Sequence, residues 1–190
     1  KVYFKQHFTV KYVKGDKGTF TEETYSNLDY GTATPKFSGE KTGVDGYSFS
    51  NWNPTVAETV TGDITYTAIW TANTNTKYTV HIYGENAEDT EYSLIKDVTK
   101  TGTTDSTITL ADLKKTITGA TYKQGSITAN GTAVTTTTLK GDGTTKIYLY
   151  YSRNTYTLTL AKGNNIKSVS GAGTYKWGKS VKISAVINSD

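Results

Sequence analysis

Residues 46–70 read GYSFSNWNPTVAETVTGDITYTAIW, and the parsing of this stretch decides the fold. Tyr47 and Phe49 stand two apart and lead into Trp52 and Pro54. The Gly62-Asp63 pair supplies a turn, and the strand after it places Tyr66, Ala68 and Trp70 on one face. Alternation with a period of two marks a half-buried strand. The stretch therefore reads as two strands joined through a turn, with Trp52 and Trp70 as core anchors rather than an open aromatic site.

Working outward, three segments begin alike: Phe8-Thr9-Val10-Lys11-Tyr12, Tyr78-Thr79-Val80-His81-Ile82 and Tyr156-Thr157-Leu158-Thr159-Leu160. Each runs aromatic, Thr, aliphatic, polar, apolar. Their spacing, roughly 70–80 residues, is too long for a solenoid and fits small tandem domains. Thr65–Trp70 closes the first unit and Lys146–Tyr151 the second. The sequence thus predicts a module over 1–72, a taut polar linker at 73–77, a second module over 78–152, and the opening part of a third over 153–190. The predicted fold class is mainly β or α+β, as small β-grasp-like modules in an elongated tandem array.

The second module carries the one helix the sequence predicts, at about 110–118. Leu110, Leu113 and Ile117 share a face, Thr109 and Asp112 resemble a capping box, and Gly119 can end it. Strands are expected at Tyr78–Tyr83, Tyr92–Val98, Ser126–Thr128 and Ile147–Tyr151, with Gly141-Asp142-Gly143 as a turn. In the third unit the expected strands are Tyr156–Leu160, Val169–Ser170 and Val181–Val186, with Gly171-Ala172-Gly173 between the first two and the third. That unit has no closing aromatic segment before Asp190, so the same segment is expected beyond it.

Composition excludes several function classes. The chain has 190 residues, no Cys and no Met. Thr alone is roughly a fifth of it, far above ordinary usage. Tyr outnumbers Phe 15 to 5, so many rings keep a hydroxyl near water. Without Cys there is no disulfide framework, thiol catalysis or zinc-thiolate site. A chain that does not begin with Met reads as a fragment or processed form, and no signal or membrane-spanning run is visible in it. The net charge of +4 is scattered, and Arg153 is the only Arg, which argues against nucleic acid as a partner.

Residues with catalytic or ligand chemistry are few. His81 occupies the slot held by Lys11 and Thr159 in the other units, so it reads as solvent-facing; His7 is the only other His. Glu85, Glu88, Asp89 and Glu91 form an acidic loop that reads as solvated, with a weak Ca²⁺ site or a carboxylate pair as the sharper alternatives. Lys11 and Lys146 are the places to look for an isopeptide cross-link, and both fall at exposed positions of the alternation. Asn130-Gly131-Thr132 is a glycosylation sequon without meaning in a bacterium unless glycosylation is shown. Trp177, before a Gly in a turn, is the one aromatic singled out to contact a ligand. No catalytic residue, metal ligand or cofactor is assigned.

The first module resembles the InlB B-repeat (Listeria–Bacteroides repeat) family of bacterial surface proteins. The likeness lies in FTVKYVKGDKGTF at 8–20, Tyr30-Gly31, GYSFSNW at 46–52 and TGDITYTAIW at 61–70. The third unit is similar to the first half of a divergent member, with Trp177-Gly178 standing where the first has Tyr30-Gly31. The middle module resembles mucin-binding-type β-grasp repeats in outline. The resemblance implies a non-enzymatic spacer or adhesive region of a secreted or cell-wall-anchored, Gram-positive protein. Its partners would be neighbouring domains and a host glycan or surface protein, with no membrane insertion. Two other readings stay open: a true adhesin module binding through its loops, and an accessory module of a secreted glycan-active enzyme.

Overall fold

The computed structural model describes residues 5–126 and 134–188. The fold is mainly β. In chain order the strands are β1 (His7–Val13), β2 (Glu23–Asp29), β3 (Tyr47–Asn53), β4 (Ile64–Ala72), β5 (Thr76–Glu85), β6 (Tyr92–Gly102) and β7 (Thr107–Thr109). After them come β8 (Ala120–Ser126), β9 (Thr136–Thr138), β10 (Lys146–Arg153), β11 (Thr155–Leu158), β12 (Ile166–Ser170), β13 (Gly173–Lys176) and β14 (Ser184–Ile187). The chain divides into two compact units. One holds the residues up to Lys77 with Thr101–Ser106 and Thr138–Thr145; the other holds Tyr78–Lys100, Thr107–Thr137 and the chain from Lys146 onward.

The first four-stranded sheet has the order β2-β1-β4-β3. Its central pair, β1 and β4, is parallel, and the flanking pairs are antiparallel. A parallel pair needs a crossover of a dozen or more residues, and here the chain between β1 and β4 supplies it. The second sheet has the order β6-β5-β10-β8, again with the first and last strands, β5 and β10, parallel at the centre. Counted within each sheet, both orders are second, first, last, third.

The alternation that predicts these strands also sets their faces. Val10, Tyr12, Val60 and Tyr66 are buried together, with Phe8, Tyr25, Phe37, Trp52 and Ile64 packed around them. In the second sheet Tyr78, Val80, Ile82, Ile147, Leu149 and Tyr151 are buried, as are Leu110 and Leu113 of the same unit. Each sheet keeps one apolar face against its crossover, as period-2 strands require. Thr155–Asn188 contains no fully buried residue among those described, and its strands form two antiparallel pairs, β11–β13 and β12–β14.

The turns after β2, β6 and β13 share one geometry, which recurs at 44–47, 117–120 and 163–166. The chain after β2, β6 and β13 makes an i to i+3 hydrogen-bonded turn: Thr32 N–H to Asp29 C=O, Ser106 N–H to Thr103 C=O, and Lys179 N–H to Lys176 C=O. The third residue of each, Gly31, Asp105 or Gly178, has a positive φ of 80°, 60° or 79°, as a type II turn demands. In the first two the turn is then tied to a buried aliphatic residue. Gly31 N–H donates to Val60 C=O and Val60 N–H to Thr32 C=O; Asp105 N–H donates to Leu139 C=O and Leu139 N–H to Ser106 C=O. Val60 and Leu139 each stand just before a Gly-Asp pair. The middle sheet is thus built like the first in order, turn and tie.

The helix expected at 110–118 is a single 3₁₀ turn, Leu110–Leu113. Thr109 is extended and makes no side-chain cap bond, and Lys114 is back in an extended conformation. Leu110 and Leu113 are both buried, and a three-residue repeat satisfies an i, i+3 pair as well as an α-turn does. Lys115 N–H donates to the Tyr151 hydroxyl at 2.7 Å instead of continuing a helix. The strand expected at Ser126–Thr128 is found earlier, over Ala120–Ser126; Ile127 and Thr128, like the sequon at Asn130–Thr132, lie outside the described residues. In the third unit Gly173–Lys176 is a strand the sequence did not predict. The positive φ of Gly171 falls between β12 and β13.

Candidate functional site

A polar cluster surrounds Arg153, the last residue of β10, beside Glu85, which closes β5. Arg153 N–H donates to Glu85 Oε2 at 2.9 Å and its Nε–H to the Glu85 carbonyl at 2.6 Å. The other carboxylate oxygen of Glu85 meets Lys176 Nζ at 2.6 Å, and this pair is largely covered, with side-chain exposures of 13% and 22%. Lys176 beside it holds the Glu85 carboxyl below its usual range; burial opposes this, and the Arg153 N–H adds to the lowering. A charge this covered is retained because its partners are fixed around it.

The cluster continues into the turn after β13. Arg153 Nη1–H donates to Trp177 C=O at 2.8 Å, Lys176 Nζ also reaches Asp89 C=O, and Lys179 pairs with Glu88 at 3.1 Å. Asp89 Oδ1 accepts from Asn86 and from Glu91 N–H. Three of the four acids that read as one loop cluster, Glu85, Glu88 and Asp89, thus turn to different partners. Among the described residues no group of three or more His or carboxylate side chains converges as a metal site would.

Trp177, the aromatic the sequence singles out, is 45% exposed and stands beside Tyr156, which is 53% exposed. Their ring centroids are 6.1 Å apart with planes at 60°. The two rings make a shallow V rather than a flat shelf, and Arg153 holds the Trp177 C=O beside it. One edge of the Trp177 indole rests on Gly119, leaving no room there for a Cβ. Tyr156 was read only as the start of a strand; the signal for its exposure is that β11 lies in a segment without a buried core.

The other aromatics differ. Trp52 packs against the buried cluster of the first sheet, with Tyr12 at 4.8 Å and Phe37 at 5.3 Å. Trp70 is half-buried over Gly43, and its indole N–H donates to Lys14 C=O at 2.8 Å. Lys11 and Lys146 are exposed; Lys11 lines an open groove of about 540 Å³ with Thr9, Thr24, Asp63 and Thr65.

His81 departs from the solvent-facing reading. It lies on the outer face, but only 18% of its side chain is exposed. Tyr148, its register partner on β10, stacks on the imidazole at 4.8 Å, and Nδ1 meets Asp97 Oδ1 at 2.7 Å. Lys11 at the equivalent position has Thr24 and Thr65 as neighbours, which leave it open. The repeat position fixes the face, and the cross-strand neighbour decides the exposure. His7 is half-exposed at 3.2 Å from Asp29.

No protein-family model matches the chain, and the search of curated proteins found no match.

Proposed function

We propose that this chain is a non-catalytic, tandem-repeat region of a bacterial cell-surface or secreted protein, working as a load-bearing spacer built from β-grasp-like modules. The observation that carries this reading is the adjacent, parallel placement of the first and last strands in both four-stranded sheets. Tension applied through β1 and β4, or through β5 and β10, loads their ladder bonds together in shear instead of peeling them singly. The order second, first, last, third, found twice, supports both the β-grasp-like description and the repetition.

Single-molecule pulling tests this. With handles at the two chain ends, each sheet is expected to yield in one high-force step. Handles placed across β1 and β2, an antiparallel pair, should open the first sheet at clearly lower force. Equal forces in the two geometries would remove the mechanical argument.

One observation favours a second reading, an adhesive contact with a glycan. Tyr156 and Trp177 are exposed side by side, and apolar ring faces with polar edges suit pyranose rings. Titration of polysaccharides followed by Trp fluorescence, with Trp177→Ala and Tyr156→Ala as controls, decides it. Binding that survives both substitutions, or no binding at all, rules this site out.

A further inference from the structure

Two places in the molecule, one in each compact unit, are put together from the same four parts. In the first unit Asn73, between β4 and β5, donates its N–H to Gly46 C=O at 2.8 Å and accepts Thr104 N–H on its own C=O at 2.9 Å. In the second, Asn154, between β10 and β11, donates its N–H to Gly119 C=O at 2.9 Å and accepts Trp177 N–H at 2.8 Å. Gly46 and Gly119 both have left-handed backbones, with φ of 82° and 71°. Each opens the third strand of its sheet, and two residues later stands a hydroxyl that donates to the same Asn. Ser48 reaches Asn73 Oδ1 at 2.6 Å and Thr121 reaches Asn154 Oδ1 at 2.7 Å.

The fourth part is steric. Thr104 and Trp177 are the second residues of the Thr103–Ser106 and Lys176–Lys179 turns. A methyl group on Gly46 would run into Thr104 and the Gly141 backbone, and one on Gly119 would run into the Trp177 ring. Each glycine is therefore required twice, for its positive φ and for the side chain lying on it. The Asp29–Thr32 turn has the same form, so the turn belongs to the module and does not arise from the contact.

We propose that these are two copies of one sequence-encoded coupling joint: a Gly-x-Ser/Thr step opening a third strand, a linker Asn, and, as its socket, the turn after the strand that pairs with the next module's first strand. The Asn works as a two-sided connector. Its N–H and side-chain carbonyl engage the sheet before it, and its main-chain carbonyl engages the turn after it. Local reinforcement differs between the copies. Tyr47 OH and Lys17 Nζ meet Asp105 at 2.5 and 3.4 Å in the first, whereas Arg153 holds Trp177 C=O in the second. The shared parts are main-chain bonds, a glycine and an amide, and they leave the rest of each module free to vary. The inference stands independently of the spacer reading, because it concerns how successive modules are joined whatever they carry.

Amide hydrogen exchange on the full chain tests it. Gly119→Ala should speed exchange at Trp177 and Asn154 at least tenfold while amides of β1–β4 keep their protection, and Gly46→Ala should do the same at Thr104 and Asn73. Gly62→Ala, which has open space around its Cβ, should change neither pair. Should either glycine variant fail to fold, Thr121→Val and Ser48→Ala remove only the side-chain bond to the Asn, and a severalfold rise at the same amides is expected. Unchanged exchange at Trp177 and Thr104 in the variants, or protection lost equally throughout both sheets, would overturn the joint.

Discussion

The first sheet buries aromatic rings, with Tyr12 and Tyr66 at its centre and Trp52, Phe20 and Phe37 around them. The second buries Val80, Ile82, Ile147 and Leu149, together with Leu110 and Leu113 of its crossover, and turns Tyr83, Tyr148 and Tyr150 to its outer face. Strand order is common to both, so the difference lies in what covers the sheet. In the second, the crossover brings its own apolar residues on the 3₁₀ turn, and short aliphatic side chains meet them. In the first, residues 30–46 contain no helix and little regular structure. Long rings must span that gap, and their hydroxyls must hold the loop. Tyr12 OH donates to Pro35 C=O and Tyr25 OH to Glu23, which in turn accepts from Ser38 and Gly39; Tyr66 OH accepts Ala57 N–H nearer β4.

The largest expected effects come from emptying the two cores. Tyr12→Ala removes a ring that touches Tyr25, Phe37, Trp52 and Tyr66 and should cost about 4 kcal/mol, as large aromatic truncations do. Leu149→Ala in the second sheet should cost about 3 kcal/mol by the same cavity argument. Chemical denaturation followed by Trp fluorescence in a Trp177→Phe background separates them, since Trp177 rests on Gly119 of the second sheet and only Trp52 and Trp70, which report on the first, then remain. A Tyr12→Ala chain whose Trp emission melts no earlier than that of Leu149→Ala would break the assignment of the aromatic core.

Next in size is the carboxylate that fastens the loop. Glu23 accepts the Tyr25 hydroxyl at 2.6 Å, the Ser38 hydroxyl at 2.7 Å, and the N–H groups of Ser38 and Gly39 at about 3.0 Å. Burial pushes its pKa up, but these four donors outweigh it and bring the value down to about 2. A depressed carboxylate stabilises the fold fully above its ordinary range near 4.5 and loses that contribution as pH falls toward 2. Glu23→Gln should cost about 1–2 kcal/mol at neutral pH, the scale of charge-assisted hydrogen bonds. The gap between wild type and variant should close between pH 4.5 and 2. A gap independent of pH would show that the loop is not held by this charge.

Much of the sheet architecture is legible in the sequence because alternation writes itself into side chains. Tyr66-Ala68 and Ile147-Leu149-Tyr151 declare their buried face. The likeness of the two sheets is harder to read. Val60-Thr61-Gly62-Asp63 and Leu139-Lys140-Gly141-Asp142 look unrelated until both aliphatic residues are seen making the same two main-chain bonds to a turn. The joints are concealed for the same reason, since main-chain hydrogen bonds leave only Gly46, Gly119 and the two Asn as traces. The sequence predicts a helix at 110–118 where a single 3₁₀ turn forms, because two leucines three apart suit one turn as well as a helix. Of the candidate site, Trp177 and the acidic loop were visible. The role of Arg153 was not, because the strand end that brings Glu85, Lys176 and Trp177 together is a property of the fold.

The smallest effect sharpens the comparison most, since it changes one atom on each sheet. The Tyr12 hydroxyl is buried and donates to Pro35 C=O at 2.7 Å, so Tyr12→Phe leaves a loop carbonyl without its donor and should cost about 1 kcal/mol. Tyr148 lies on the outer face of the second sheet, where the ring stacks on His81 and the stack does not depend on the hydroxyl. Tyr148→Phe should therefore stay within about 0.5 kcal/mol of wild type. If thermal melts show the two substitutions to be equal, the hydroxyls of the first sheet are not holding its crossover. The aromatic filling would then be a matter of volume alone.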